Sequence, residues 1–231
     1  MLKHFDRLAR RAARQLPPLL QKARGDSFNV LEVAFLKAAY ESAEYYEQNL
    51  LTTPIFDTDL SLLSEAIKLA DPGGMFLEFG VASGRTIDHI ANEISGRAYG
   101  FDSFEGLPEV WRSGFEKGAF AGNLPAVLPN VTLIKGWFNE TIPQFLATTE
   151  GSVALLHIDC DLYSSTKCIF DLLANRIQVG TVIVFDEFWN YPGWRHHEIK
   201  AFDEFKRTTG RSAKPIGFVP SHQQVAFLIE K

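Results

Sequence analysis

Three features of the 231-residue sequence predict an α/β fold: a seven-stranded, mostly parallel sheet ending in an antiparallel hairpin, with helices at its N-terminal end. Short apolar runs alternate with amphipathic stretches from Met75 to Thr208, the pattern of strands covered by helices on both faces. The first of these runs leads into Gly80-Val81-Ala82-Ser83-Gly84, a glycine turn of the kind that opens a Rossmann-like sheet. The last two runs are joined around Val219-Pro220-Ser221-His222, a connection too short for a parallel crossover.

The elements follow in order. Leu2, Phe5, Ala9, Ala12 and Leu16 recur at helical spacing among Lys3, Arg7, Arg10, Arg11, Arg14, Lys22 and Arg24, so a basic amphipathic helix opens the chain. Its plain reading is a solvated helix packed on the domain or on a second subunit; contact with an anionic membrane surface is the alternative. A second helix spans residues 28–50. Asp57 and Thr58 offer N-caps to a third that runs through Leu69 and stops at Asp71-Pro72-Gly73-Gly74. Strands are expected at Met75–Phe79, Ala98–Phe101, Val131–Ile134, Val153–Ile158, Thr181–Phe185, Ala213–Phe218 and Gln224–Ile229. Helices are expected at Arg85–Ile94, near Pro143–Thr148, at Ser164–Ile177 and at Arg195–Thr208. The stretch from Leu107 to Pro129, rich in Gly, Pro, Trp and Phe, is too long for a plain connector and reads as a lid or substrate-facing loop. The chain divides into an N-terminal helical extension, 1–56, and an α/β domain, 57–231.

Hydrophobic residues make up 46% of the chain and the formal net charge is -5, which suits a globular protein without an electrostatic footprint for nucleic acid. The two cysteines, Cys160 and Cys168, are too few for a disulfide framework and read as reduced thiols. No apolar run has the length of a membrane span or a secretory signal. A cytoplasmic location and a homo-oligomer are the expectations.

The candidate site lies at the strand tips. Gly80 and Gly84, spaced G-x-x-x-G rather than as a dinucleotide fingerprint, favour a ligand without a pyrophosphate. Glu78, ending its strand, can accept from a cationic amino group. Asp102, at the tip of the second strand, is placed to hold both ribose hydroxyls. The plainer alternative makes the glycines packing residues and Asp102 a turn cap. The fourth strand ends His157-Ile158-Asp159-Cys160-Asp161 and the fifth Phe185-Asp186-Glu187. If the two strands are neighbours, Asp159, Asp186 and Glu187 converge, and carboxylates that close need protons or a cation. An all-oxygen set favours Mg²⁺, Mn²⁺ or Ca²⁺. Against this, Asp161 reads as the cap of the following helix, and Glu187 could face solvent. His157 reads as a satisfied core histidine, and His196 and His197 as an exposed helical pair.

Four segments resemble the macrocin O-methyltransferase family: Phe76-Leu77-Glu78-Phe79-Gly80, Phe101-Asp102-Ser103-Phe104-Glu105-Gly106-Leu107-Pro108, Gly136-Trp137-Phe138-Asn139-Glu140-Thr141-Ile142-Pro143 and His157-Ile158-Asp159-Cys160-Asp161-Leu162-Tyr163. The resemblance runs from about Met75 to Phe205. It implies a class I methyltransferase fold, S-adenosylmethionine as cofactor and methylation of a sugar or other small-molecule hydroxyl in natural-product biosynthesis. It also implies magnesium-binding acids at Asp159, Asp186 and Glu187, with Asp159 as general base. The family's Asp-Asp pair is Asp186-Glu187 here, a departure that bears on metal geometry. On this reading Glu78 and the turn of Gly80, Val81, Ser83 and Gly84 hold the amino-acid end of the cofactor, together with Asp159. Asp102 takes the ribose, Ser103 and Phe104 border the adenine, and Gly136 and Trp137 lie on its other face. Trp111, Phe115, Phe120, Trp189 and Trp194 are candidates for lid or substrate wall, or ordinary core. The rival readings are a metal-independent methyltransferase, a nicotinamide-dependent reductase and a non-catalytic binding protein working through its basic N-terminal helix. The missing middle glycine and the late hairpin argue against the reductase.

Overall fold

The structure, a computed structural model, describes residues 27–231; the basic segment Leu2–Arg24 lies outside the described residues. Helix α1 (Val30–Asn49) starts from Asn29, whose side chain accepts from the Leu31 N–H. Helix α2 (Asp59–Leu69) starts from a reciprocal box: Thr58 Oγ1 accepts from Ser61 N–H and Ser61 Oγ accepts from Thr58 N–H, which satisfies two otherwise orphaned donors. Then come β1 (Met75–Phe79), α3 (Arg85–Glu93), β2 (Ala98–Asp102), β3 (Val131–Lys135), α4 (Phe138–Thr148), β4 (Val153–Ile158), α5 (Tyr163–Leu173), β5 (Ile177–Phe185), α6 (Glu198–Thr209), β6 (Ala213–Phe218) and β7 (Val225–Ile229).

The seven strands form one sheet in the order β3-β2-β1-β4-β5-β7-β6. Pairs from β3 to β5 are parallel, and β7 runs antiparallel between β5 and β6. The alternation of side chains along each strand splits the core into two layers. Leu77, Phe79, Ile183 and Phe185 face α4, α5 and α6, joined by Ile142, Phe145, Ile169, Phe170, Ile199 and Phe202. Phe76, Val182 and Val184 face α2 and α3, joined by Leu62, Leu63, Ile87 and Ile90. Each such fully buried apolar side chain contributes about 1.5–3 kcal/mol relative to exposure. No helix among the described residues is long and apolar enough to cross a membrane.

Three boundaries differ from the sequence reading. Helix α4 begins at Phe138, five residues before the expected Pro143, which sits inside the helix; its missing N–H leaves the Asn139 carbonyl without its helical partner. Helix α5 ends at Leu173 and β5 begins at Ile177, where one continuous helical pattern was expected to run through Ile177. The intervening turn is held by Arg176, whose N–H donates to the Leu173 carbonyl and whose guanidinium donates to the Gly151 carbonyl. Helix α6 begins at Glu198, after a single 3-10 turn at Trp194–His196 that uses Gly193 in the left-handed region.

Candidate active site

The parallel order reverses between β1 and β4, so the loops beyond their C-terminal ends diverge and leave a crevice. Backbone hydrogen bonds carry the strand tips past the sheet proper. Gly80 N–H donates to the Phe101 carbonyl, Asp159 N–H to that of Phe79 and Asp186 N–H to that of Ile158, each at 2.9 Å. The tips of β2, β1, β4 and β5 therefore stay in register where the chemistry-bearing residues begin. Gly80 is essential to that alignment. Its φ is +94°, and an added Cβ would lie 1.7 Å from the Asp159 carbonyl oxygen. The glycine turn thus approaches the acidic strand tip itself, a close contact that the sequence suggested only toward a ligand.

A cavity of about 520 Å³ opens at this end of the sheet, within the roughly 300–1,000 Å³ range of small-molecule sites. Gly80, Ala82, Asp102, Ser103, Trp137, Phe138 and Asn139 line one part; Asp159, Cys160, Asp161, Ser164, Ser165, Cys168 and Glu187 line another. Gly106, Leu107, Pro108 and Phe120 come from the long β2–β3 connection, which therefore faces the cavity as the sequence suggested. Glu109 of that connection accepts from the Ser164 hydroxyl at 2.6 Å, tying the loop to the start of α5.

Asp102 works first on the protein. Its Oδ2 accepts from the N–H groups of Val81 and Ala82, both at 2.9 Å, and its Oδ1 accepts from Phe104 N–H at 2.7 Å. An ionised carboxylate has about four lone-pair positions, so three are filled and one remains. Asp102 is at once a turn anchor and a cavity wall, which combines the two roles the sequence left as alternatives.

Asp159, Asp186 and Glu187 each offer a carboxylate oxygen, and these oxygens all lie within 4.8 Å of one another. Burial, then the neighbouring Asp186, pushes the Asp159 carboxyl well above the usual carboxylate range. Glu187 is pushed the same way, by burial and then by Asp159 and Asp186, and its Oε2 has no partner among the described residues. Gln224, on the β6–β7 hairpin, donates to Asp186 Oδ1 at 3.1 Å and fixes that side chain. Such a cluster is electrostatically unsatisfied as it stands, and a cation or protons would relieve it. Asp161 adds to it: burial first, then Asp186, raises its carboxyl to about 7 against the opposing pull of the Arg112 guanidinium. Asp161 does not cap α5, which starts at Tyr163 from Leu162 with no side-chain cap; its φ of +62° turns it to the cavity wall instead.

Beneath the glycine turn, Glu78 and His157 are fully buried and bonded, Oε2 to Nδ1, at 2.9 Å. Their residues are directly paired across β1 and β4. Burial lowers the imidazole's affinity for a proton, but the Glu78 bond and the acids above it prevail and raise His157 to about 9. His157 is the satisfied core histidine that the sequence suggested. Glu78 does not line the cavity; its Oε1 is buried and has no hydrogen-bond partner among the described residues.

Of the residues proposed from sequence, Gly80, Asp102, Ser103, Trp137, Asp159 and Glu187 line the cavity. Val81 is buried against Gly100, Ser83 is exposed, and Gly84 packs toward Pro125 and Val127 of the long loop. Phe104 belongs to the core layer of α2 and α3. Gly136 donates its N–H to the Asp102 carbonyl, and neither Gly136 nor Asp186 lines the cavity. Trp189 and Trp194 are core, packed edge-on against Tyr45 of α1, while Trp111 and Phe115 stack beside Arg112. His196 is exposed and His197 half-buried against Trp111, in the turn before α6 rather than on it. The sequence reading missed Asp161, Arg112 and Glu198. Asp161 carried a signal, since it lies two residues beyond Asp159 at the same strand tip. Glu198, fully buried with Oε2 accepting from Glu187 N–H at 3.3 Å, carried none.

A family model described as a methyltransferase domain matches residues 77–188, from β1 to just past the β5 tip. A Streptomyces olivaceus protein, 8-demethyl-8-(2,3-dimethoxy-alpha-L-rhamnosyl)-tetracenomycin-C 4'-O-methyltransferase, is 29% identical over 45% of this chain and 46% of its own length. The chain thus spans about half the length of that curated relative. Among solved structures, CalS11, a calicheamicin methyltransferase, superposes with a TM-score of 0.60 at 25% identity, over 74% of this chain and 78% of that one. The O-methyltransferase NovP superposes with a TM-score of 0.56 at 20% identity, over 74% and 79%. Residues 77–188 match a methyltransferase domain, and the chain that carries them resembles the macrocin-type O-methyltransferases in motif, in strand order and in its Rossmann-like fold.

Proposed function

We propose that the chain is an S-adenosylmethionine-dependent O-methyltransferase. It would methylate a hydroxyl of a sugar or other small molecule, with a hard divalent cation such as Mg²⁺ held by Asp159, Asp186 and Glu187. One observation carries this reading: three carboxylate oxygens from adjacent strand tips lie within 4.8 Å of one another, two of the acids on the wall of the cavity that holds the glycine turn. The unpartnered Glu187 Oε2 and the oxygen-only donor set suit such a cation.

S-adenosylmethionine supplies an electrophilic methyl group on a sulfonium. A divalent cation supplies positive charge that offsets the repulsion among the acids and acidifies a hydroxyl held beside it. The chain's own residues do the rest. Asp159 accepts the hydroxyl proton on a carboxylate oxygen as the acceptor oxygen gains its methyl group. Gln224 and Glu198 hold the β5 acids in place, and Gly80 keeps the turn against the Asp159 backbone. Asp102 stiffens the turn and offers its remaining lone pair to one ribose hydroxyl, and Trp137 offers a ring to the adenine. The cavity walls exclude water and keep the two reactants at attack distance.

The same reading takes residues 1–56 as an N-terminal extension and 57–231 as the catalytic domain. A homo-oligomer is part of it, supported by Val30, Leu31, Val33 and Phe35, which α1 leaves exposed. A cytoplasmic setting suits the free thiols Cys160 and Cys168.

Transfer of labelled methyl from S-adenosylmethionine to a panel of glycosides, nucleotide sugars and catechols tests the proposal, with and without chelator. Transfer that stops on chelation and returns with Mg²⁺ is expected; transfer indifferent to chelation would remove the cation, and none at all the activity. Asp102→Ala should weaken S-adenosylmethionine binding by about 10–100-fold, since charge-assisted bonds of roughly 1.5–3 kcal/mol are lost at the turn. Calorimetry showing unchanged affinity would contradict the role of Asp102.

A further inference from the structure

Asp186 is held directly, because Gln224 donates to its Oδ1. Glu187 is not: its Oε2 is buried and has no hydrogen-bond partner among the described residues. The direction of that side chain is therefore set through its backbone. No regular element fixes this backbone, since β5 ends at Phe185 and the next helical turn begins at Trp194. Contacts from elsewhere in the chain fix it instead. Asp186 N–H donates to the Ile158 carbonyl at the β4 tip, at 2.9 Å, and Phe188 N–H to the Gln223 carbonyl of the β6–β7 hairpin, at 3.0 Å. Glu187 N–H donates to Glu198 Oε2 over a longer 3.3 Å. Asn190 N–H donates to Ser42 Oγ at 3.0 Å, and Ser42 lies on α1, 148 positions earlier in the chain. The last of these anchors comes from the N-terminal extension; the others come from the α/β domain.

Ser42 suits the task. It is buried on α1 together with Ala38, one turn before it, and two small side chains on one helix face let another backbone come close. Its hydroxyl donates to the Ala38 carbonyl at 2.8 Å, the usual bond of a serine within a helix. The oxygen's lone pairs stay open to an outside donor. Asn190 needs that support, because its φ of +65° lies in the left-handed region, which asparagine tolerates better than most residues but not freely. Its Nδ2 donates to the His222 carbonyl at 3.2 Å, so Ser42 and the hairpin clamp Asn190 together. Tyr45, the next turn of α1, brings its ring to 5.6 Å from that of Phe188 and 6.1 Å from that of Trp189, centroid to centroid. It presses the helix against the same segment.

We propose that Ser42 is a positioning residue for the acid site: by holding Asn190 it fixes the segment beyond β5, and with it the direction in which Glu187 offers its carboxylate. Helix α1 is then a working part of the site rather than an attachment to it. The inference rests on the proposed cation held by Asp159, Asp186 and Glu187, and it adds a residue that does not line the cavity.

The test is calorimetric titration of Mn²⁺ into the full-length chain with S-adenosylmethionine bound, for the unaltered chain, Ser42→Ala and Leu50→Val. Ser42→Ala removes the acceptor of Asn190 N–H. It should weaken Mn²⁺ binding by about tenfold, the low end of the loss when a contact supporting a metal ligand is removed, with cofactor affinity unchanged. In turnover, the Mg²⁺ concentration for half-maximal rate should rise by the same factor, while kcat at saturating Mg²⁺ stays near that of the unaltered chain. Leu50→Val is the control for helix docking in general. Leu50 is fully buried, about two turns further along the chain from Ser42, and trimming it should lower the melting temperature without moving Mn²⁺ affinity. Unchanged Mn²⁺ affinity in Ser42→Ala would overturn the proposal. So would an equal loss in both variants, which would make α1 a stabilising element only. An unaltered chain that binds S-adenosylmethionine but no Mn²⁺ is a different result: it removes the cation itself, and the role of Ser42 with it.

Discussion

Asp159→Asn is expected to lower kcat by about 10²–10⁴-fold, the usual worth of a positioned general base, while S-adenosylmethionine still binds. The amide has nearly the same shape and leaves the backbone contacts of the β4 tip in place. These are the Asp159 N–H to the Phe79 carbonyl at 2.9 Å and the Asp159 carbonyl packed under Gly80. It removes the oxygen that takes the proton and one negative charge from the cluster of Asp159, Asp186 and Glu187. Burial and Asp186 already hold the Asp159 carboxyl well above the usual range, so the charged form depends on positive charge from the buried His157 below it and from a cation above it. Cofactor calorimetry beside single-turnover methyl transfer separates the two effects. A variant with a near-normal rate would take Asp159 out of the chemistry.

Gly80→Ala should lower stability by about 2–5 kcal/mol, combining left-handed strain at a non-glycine residue with overpacking. The added carbon would lie 1.7 Å from the Asp159 carbonyl oxygen and 2.7 Å from its carbon, both backbone atoms that cannot swing aside as a side chain would. For a chain of this size the melting temperature should fall by roughly 5–15 °C. The damage should also reach the site, because the displaced turn carries the Val81 and Ala82 N–H groups that Asp102 accepts. Gly96→Ala is the control: nothing lies within 4 Å of its added Cβ, and a change within about 0.5 kcal/mol is expected for such a surface position. Equal melting temperatures for the two variants would contradict the close approach.

The sheet was legible because its strands are short, apolar and separated by clear breakers. Met75–Phe79 and Val153–Ile158 came out with both ends as read, bounded by Asp71–Gly74 on one side and by polar strand tips on the other. Legibility failed where chemistry and pattern parted. Pro143 looked like a helix start and lies inside α4; Ile177 continued an apolar helical stripe and belongs to β5. The acids of the site were readable because each ends a strand, and strand ends of a doubly wound sheet converge. What a carboxylate bonds was not readable. Asp102 shows the difference, with three of its lone pairs on backbone N–H groups that no spacing reveals. Arg112 and Glu198 were invisible for a related reason: they reach the acid cluster from a loop and a helix start whose folding back is a tertiary event.

The most direct measurement is the anomalous scattering of Mn²⁺ in crystals grown with S-adenosylmethionine. A single strong peak is expected with oxygens of Asp159, Asp186 and Glu187 at about 2.0–2.6 Å, beside the cofactor's sulfonium. A fully bound cofactor with no peak between those three carboxylates, or with the ion held by other residues, would contradict the site.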